Sequence, residues 1–429
     1  MYFSVSHTYL SSICLKYCLK MIKSTWFFIK MLFYKRIPAI QNSSLFCLTV
    51  YLISIFFSCS DKKENDKKYK GRIELSNQIK VKLDSLMLPI TSDAKLFTNK
   101  KNDTIISMIN LSQNTINYYS ISGNPLQYRT IVYKDGPNSF GSIKGYFLIN
   151  QDSIFISNSF NGQVAIINRD GKIIKKYSMP NNIRNAYYPF PVCESGSEMS
   201  KIGSKLYLPS ISTPSNPFAH NKKLYTEGFL QTVLDINTSN REFRIKYPNS
   251  KLLSKSHFPF ESTRVYCVTN QQQKIFLYSF GCDKNIYVYS ENGNLAKTKE
   301  LKSDFADFEL HSLGNSSKSN DPFHHYTEYV NNLYYGKLYF DPKSNLYYRF
   351  VKHGLNPAMS DNEIKKAKKI ELKYSLIIAD SNFNKTDEIL LEKDIWGGWL
   401  TPHNGGFIVQ KWIENEDIFL LNQYKYWKK

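Results

Sequence analysis

The chain has 429 residues, enough for one large or two ordinary domains. Aromatic residues make up 15% of it, including 31 Tyr, and that much apolar surface excludes wholesale disorder. The formal net charge of +20 would suit acidic glycans or anionic lipid headgroups, or it reflects a Lys- and Asn-rich composition with no partner behind it.

In chain order, residues 45–57 come first as a near-continuous apolar run, interrupted only by Thr49 and Ser54. A helix of that length rises about 20 Å, short of a hydrocarbon core of about 30 Å, so it makes a poor membrane span. Lys35 and Arg36 precede it and Phe56-Phe57-Ser58-Cys59 follows. The pattern resembles a lipobox, in which Cys59 is acylated and the preceding peptide removed, with Phe56 departing from the usual Leu. The alternative is an ordinary signal peptide with a chance cysteine. Met31, or else Met21, is the expected start, which makes the upstream residues an extension. Removing residues 1–58, with their six Lys/Arg and no acid, leaves a charge of +14. Residues 59–70 read as a polar tether and 71–429 as the folded domain. Two or more acyl chains would hold such a protein on a membrane without a transmembrane helix.

Beyond the tether the pattern is β throughout. Residues 147–179 read as a four-stranded meander, with turns at Asn150-Gln151-Asp152, Asn161-Gly162 and Asp170-Gly171. A Gly-bearing outer hairpin recurs at Ser122-Gly123, Asp170-Gly171 and Asn292-Gly293. A short second strand recurs as Leu206-Tyr207-Leu208, Ile275-Phe276-Leu277-Tyr278, Leu346-Tyr347-Tyr348 and Phe407-Ile408-Val409. These mark six units near 93–135, 145–180, 200–248, 263–303, 335–393 and 396–427. The last is one strand short, and the alternating segment Ile79-Lys80-Val81-Lys82-Leu83 is expected to complete it and close the ring. The fold class is therefore all-β, a single β-propeller of six four-stranded blades, weighed against a β-sandwich pair or a β-solenoid. One helix is expected within the fifth unit, N-capped by Ser360 with Glu363 at the third position and continuing to Leu372. Its lysines either meet headgroups or form a solvated face.

Asp135-Gly136-Pro137-Asn138-Ser139-Phe140, followed by the blade at 145–179, resembles the Gly-Pro-x-x-Phe blade opening of six-bladed propeller lipoproteins from Bacteroidetes. The chain as a whole is similar to domain of unknown function 4221. That resemblance implies a secreted, lipid-anchored propeller and supplies no catalytic residues.

No nucleophile elbow, zinc-protease motif, phosphate-binding loop or calcium loop occurs, so no cofactor and no metal are expected. After processing, Cys193, Cys267 and Cys282 remain beside Cys59, and a Cys267–Cys282 bridge is one possibility. His324-His325 could share a metal only from a loop, because neighbours on a strand face opposite ways.

Aromatics beside proline recur between the strands, and the ligand-binding candidates come from these segments: Tyr187, Tyr188 and Phe190; Phe218 and His220; His257 and Phe258; Phe323, His324 and His325. Trp396, Trp399 and His403 could join them at the start of the sixth unit. Loops of one kind gather on one face of a propeller. There the rings either meet a sugar or peptide or pack down as plugs under the loops. Two functions follow. One is an outer-membrane lipoprotein, monomeric and without nucleic-acid partners, that binds a glycan, a peptide or an envelope protein, on a periplasmic or surface face left open. The other is a glycan lyase or hydrolase with its site at the central channel.

Overall fold

The computed structural model describes residues 71–428 apart from short segments, the longest being 179–188, 213–220, 306–311 and 314–319. The expected signal segment, Cys59 and the tether lie outside the described residues.

Alternating apolar residues build six antiparallel sheets set in a ring, a six-bladed β-propeller. Because β1 (Gly71–Lys82) belongs to the last blade, the first blade holds β2 (Ala94–Thr98), β3 (Thr104–Asn110), β4 (Thr115–Ser120) and β5 (Leu126–Ile131). The second is the expected meander: β6 (Gly145–Asn150), β7 (Ser153–Ser157), β8 (Val164–Ile167) and β9 (Ile173–Tyr177). The third has an innermost strand in two pieces, β10 (Pro189–Pro191) and β11 (Ser200–Ile202), both paired to β12 (Lys205–Ser212), then β13 (Phe229–Asp235) and β14 (Arg241–Lys246). This blade therefore begins earlier than the sequence pattern suggests, because the interruption hides its first strand.

The fourth blade has β15 (Val265–Asn270), β16 (Ile275–Phe280), β17 (Asn285–Ser290) and β18 (Leu295–Glu300). The fifth has β19 (Tyr334–Asp341), β20 (Leu346–Lys352), β21 (Tyr374–Ala379) and β22 (Lys385–Leu390). The sixth combines β23 (Ile395–His403), β24 (Gly406–Lys411) and β25 (Ile418–Lys428) with β1, which pairs Ile79 to Leu421 and Val81 to Phe419. A strand from the start of the domain thus supplies the outer edge of the last blade, as the alternation at 79–83 suggests.

The core is divided among the blade interfaces. Phe140, Ile143, Tyr146 and Ile156 pack against Ile105, Ile116 and Tyr118 between the first two blades. Ile79, Val81, Phe419 and Trp399 pack against Ala94, Ile106 and Tyr119 across the closure. Leu277, Ile286 and Val288 meet Leu338, Tyr347 and Phe383 between the fourth and fifth. Each sheet is too thin to fold alone and is stabilised by burying both faces against its neighbours.

The outer hairpins require a left-handed residue more than they require glycine. Gly171 and Gly293 take φ of 80° and 81°, but Ser239 and Phe383 hold the corresponding places at 67° and 64°. Gly171, Gly293 and Phe383 close the same backbone turn, for example through Phe383 N–H donating to the Asp380 carbonyl, and Ser239 closes one a residue longer by donating to the Asp235 carbonyl. Phe383 accepts this conformation because its ring is buried against Tyr347, with centroids 5.0 Å apart.

The short α-helices among the described residues lie at the end of the ring where the innermost strands begin: α1 (Lys222–Glu227), α2 (Ser250–Lys255), α3 (Pro322–Asn331) and α4 (Asp361–Lys366). The alternating strand directions send every long connection there. The capping box at Ser360 and Glu363 forms as expected. The helix nonetheless stops at Lys366 and does not run to Leu372, because Leu372 and the strand after it must turn down into β21. Cys267 and Cys282 are free thiols buried in one apolar cluster, so the suggested bridge is not made.

Candidate functional site

On the long-loop face, a groove of about 610 Å³ opens between the fifth and sixth blades. One wall is α3, whose N-cap Asp321 accepts from Phe323 N–H, with Pro322 in the first turn where its missing N–H costs nothing. This presents Phe323 and Tyr326 with ring centroids 6.1 Å apart. Ile364 and Lys365 of α4 line the groove too, and the Lys365 ammonium lies 4.7 Å over the Phe323 ring. Tyr374 at the start of β21 and Trp412 just beyond β24 complete the aromatic lining. Tyr326 and Trp412 are 45% and 40% exposed, so each presents surface to a ligand. Burial pushes the Tyr374 phenol up to about 12, which keeps it a neutral hydrogen-bonding group. Lys393 and Glu371 bridge the rim at 3.3 Å.

α3 is held from beneath by Lys352. This buried lysine donates to the Asn332 carbonyl at 2.6 Å and the Val330 carbonyl at 3.2 Å, the end of the helix where carbonyls lack partners. Its ammonium also lies 4.7 Å over the Tyr329 ring.

A second polar feature lines the central channel. Glu194 and Ser197 exchange backbone hydrogen bonds around Gly196, and this turn splits the innermost strand of the third blade. Gly196 sits at φ 79°, where an added Cβ would stand 2.6 Å from the Lys337 Cβ. Glycine is therefore required for Lys337 to lie against the turn. Lys95 stands 3.5 Å from both Asp93 and Glu198 and 5.3 Å from the Tyr146 ring centroid. Arg264 bridges Glu261 at 2.5 Å and Glu194 at 3.8 Å. Burial pushes the Asp93 carboxyl up to about 7 against the pull of Lys95. Burial opposes the Lys95 charge, but Asp93 and Glu198 outweigh it and hold its pKa above the ordinary value. Burial also lowers Lys337 despite the nearby acids. A cavity of about 210 Å³ reaches Glu198 and Gly196 from the opposite face of the ring.

The structure distributes the sequence candidates unevenly. Phe323 lines the groove. His324 faces Asp361, with Nδ1 at 3.3 Å, whereas His325 is buried and its Nδ1 accepts from Phe260 N–H at 2.9 Å. The pair lies on a helix with divergent partners, neither in a shared loop nor on a strand. Phe258 is buried in the core and His257 packs edge-on to His325, so both serve as plugs under the loops. Phe190 is half-buried opposite Ile211. Trp399 is fully buried and therefore offers no face to a ligand. His403 does not join this face: it ends β23 at the opposite side, beside Asn404. Tyr187, Tyr188, Phe218 and His220 lie outside the described residues, as does the side chain of Trp396. Sequence reading missed Tyr326, Tyr374 and Trp412, although Tyr326 stands two residues beyond His324 in a segment already singled out. Among the described residues, no three His, Cys, Asp or Glu side chains converge as metal ligands. No helix among them is long and apolar enough to cross a membrane.

Comparison with known proteins supports this architecture. Residues 71–390 match the family model described as Domain of unknown function (DUF4221). A solved member of the DUF4221 family from Bacteroides vulgatus superposes with a TM-score of 0.70 at 15% identity, covering 85% of this chain and 100% of that one. A protein of Bacteroides fragilis, whose name proposes that it is exported, gives 0.51 at 11% identity, covering 83% and 96%. No curated protein sequence matches the chain.

Proposed function

The chain belongs to the DUF4221 family, and we propose that it is an exported lipoprotein, acylated on Cys59 and held on the outer membrane, that binds a glycan in the groove between its fifth and sixth blades. The observation that carries this reading is the convergence of Phe323, Tyr326, Tyr374 and Trp412 on one open groove. Aromatic faces bind the C–H faces of sugar rings, and Lys365, Glu371 and Lys393 at the rim can hydrogen-bond to ring substituents. The volume suits a ligand of a few sugar rings, within the range of about 300–1,000 Å³ usual for ligand sites. The apolar run before Ser58-Cys59 supports export and acylation.

Titration calorimetry against a panel of neutral and acidic oligosaccharides tests the binding. Saturable heat with the wild-type protein, weakened at least tenfold by Trp412→Ala, is expected; no heat from any member of the panel contradicts it. Acylation is tested by labelled palmitate, which should enter the wild-type chain and not Cys59→Ala.

A second reading, glycan cleavage at the channel, draws on Asp93, a buried carboxyl titrating near neutrality beside Lys95. Formation of shorter or unsaturated products in the same mixtures, abolished by Asp93→Asn, would favour it over simple binding.

A further inference from the structure

The sheet order fixes which face of the ring receives the chain. β1 is the outer strand of the sixth blade and runs antiparallel to β25, so Lys82 leads to the long-loop face and Gly71 lies at the opposite end. There the β1–β25 ribbon outgrows its blade. β24 begins at Gly406, opposite Lys425, while β25 continues to Lys428 and pairs its last three residues, 426–428, with Ile73, Arg72 and Gly71. At about 3.4 Å per residue, the ribbon projects about 10 Å below the blade.

The side chains on this projection are those of a membrane interface. Trp427, on the projection, is 53% exposed, and Leu75, higher up within the blade and on the opposite face of the ribbon, is 42% exposed. Arg72 is the cross-strand partner of Trp427, and Lys425, two residues away, shares its face of the ribbon. Glu74 stands opposite Lys425 on this face and bridges Arg72 at 3.4 Å, so the indole is rimmed by two cations and an acid. An indole in such a polar rim suits the headgroup layer, where its apolar face and its N–H are both accommodated. Ile174 and Leu295, from the second and fourth blades, are exposed at the same end.

We propose that the projecting end of the β1–β25 ribbon is the membrane-proximal edge of the propeller, with Trp427 seated at headgroup depth and the groove on the opposite face turned away from the bilayer. The partner is the headgroup layer of a lipid bilayer. The proposal rests on the acylation of Cys59, which stands twelve residues before Gly71 in the sequence. An extended chain of that length reaches at most about 40 Å, so the end of the ring that receives it is kept near the surface.

The test uses acylated full-length protein purified from membranes and returned to phosphatidylethanolamine–phosphatidylglycerol vesicles carrying a headgroup nitroxide. Mass spectrometry of the N-terminal peptide first establishes the acyl chains, and tryptophan quenching is then compared among the wild type, Trp427→Phe and Trp412→Phe. Quenching should fall by more than half in Trp427→Phe and be unchanged in Trp412→Phe. Quenching that follows Trp412, or none in the wild type, overturns the orientation while leaving acylation intact. An unmodified Cys59 overturns both.

Discussion

The indole N–H of Trp399, on the innermost strand of the sixth blade, donates to the backbone carbonyl of Ala94, on the innermost strand of the first. The same two blades share the cluster that buries Ile79 and Val81 of β1. Closure of the ring thus has an inner tie and an outer strand. Trp399→Phe should keep the ring but lose about 1–3 kcal/mol in chemical denaturation, because the Ala94 carbonyl is left unmet. Val81→Asp should abolish cooperative unfolding by placing a charge at the closure, whereas Lys80→Asp, on the exposed face of the same strand, should not.

Phe383 holds a left-handed backbone position that glycine fills in other blades. Phe383→Ala should be destabilising by about 3 kcal/mol or more, since packing is lost and the strained φ remains. Phe383→Gly should cost about 1 kcal/mol less, because the strain is relieved. Denaturation midpoints of the two variants measure the difference, and equal midpoints would show that the backbone carries no strain there.

Arg349 is fully buried and spans two blades: it donates to the Lys284 carbonyl at 2.6 Å, the Leu301 carbonyl at 3.1 Å and Ser279 Oγ at 3.0 Å. Its planar fork is what reaches several acceptors at once. Arg349→Lys should therefore cost about 3 kcal/mol or more, well beyond what a conserved charge would suggest. Calorimetric unfolding checks this.

Asp93 supplies a pH dependence of known sign. Its folded pKa, raised by burial to about 7, lies above the ordinary 3.8. Between those values the folded protein holds a proton that the unfolded chain has released. Its favourable contribution is complete below the unfolded pKa and is lost as pH rises through 7. The urea midpoint should fall from pH 4 to pH 8, and Asp93→Asn should flatten that fall. An identical pH profile for the variant would contradict the assignment.

The propeller was legible because blade geometry repeats. The second strand of a blade is buried on both faces, so Leu206-Tyr207-Leu208 and Leu346-Tyr347-Tyr348 stand out as apolar runs, and β1 betrayed itself by alternation. The hairpin glycines were a partial guide: Ser239 and Phe383 adopt the same left-handed φ without announcing it. The third blade's first strand was hidden by the turn at Glu194–Ser197, which breaks its pairing. The channel cluster was illegible for another reason. Asp93, Glu198 and Lys337 come from three blades, and only closure of the ring places them together. The groove was half visible: local aromatic density marked Phe323, but Trp412 follows a strand of a different blade and joins the site through tertiary packing alone.

The glycan-binding reading is tested most directly by a crystal structure of the protein with whichever oligosaccharide binds in calorimetry. A sugar ring should stack on Trp412 or Tyr326 in the groove between the fifth and sixth blades. A sugar lodged instead beside Glu198 in the channel, with the groove empty, would contradict it.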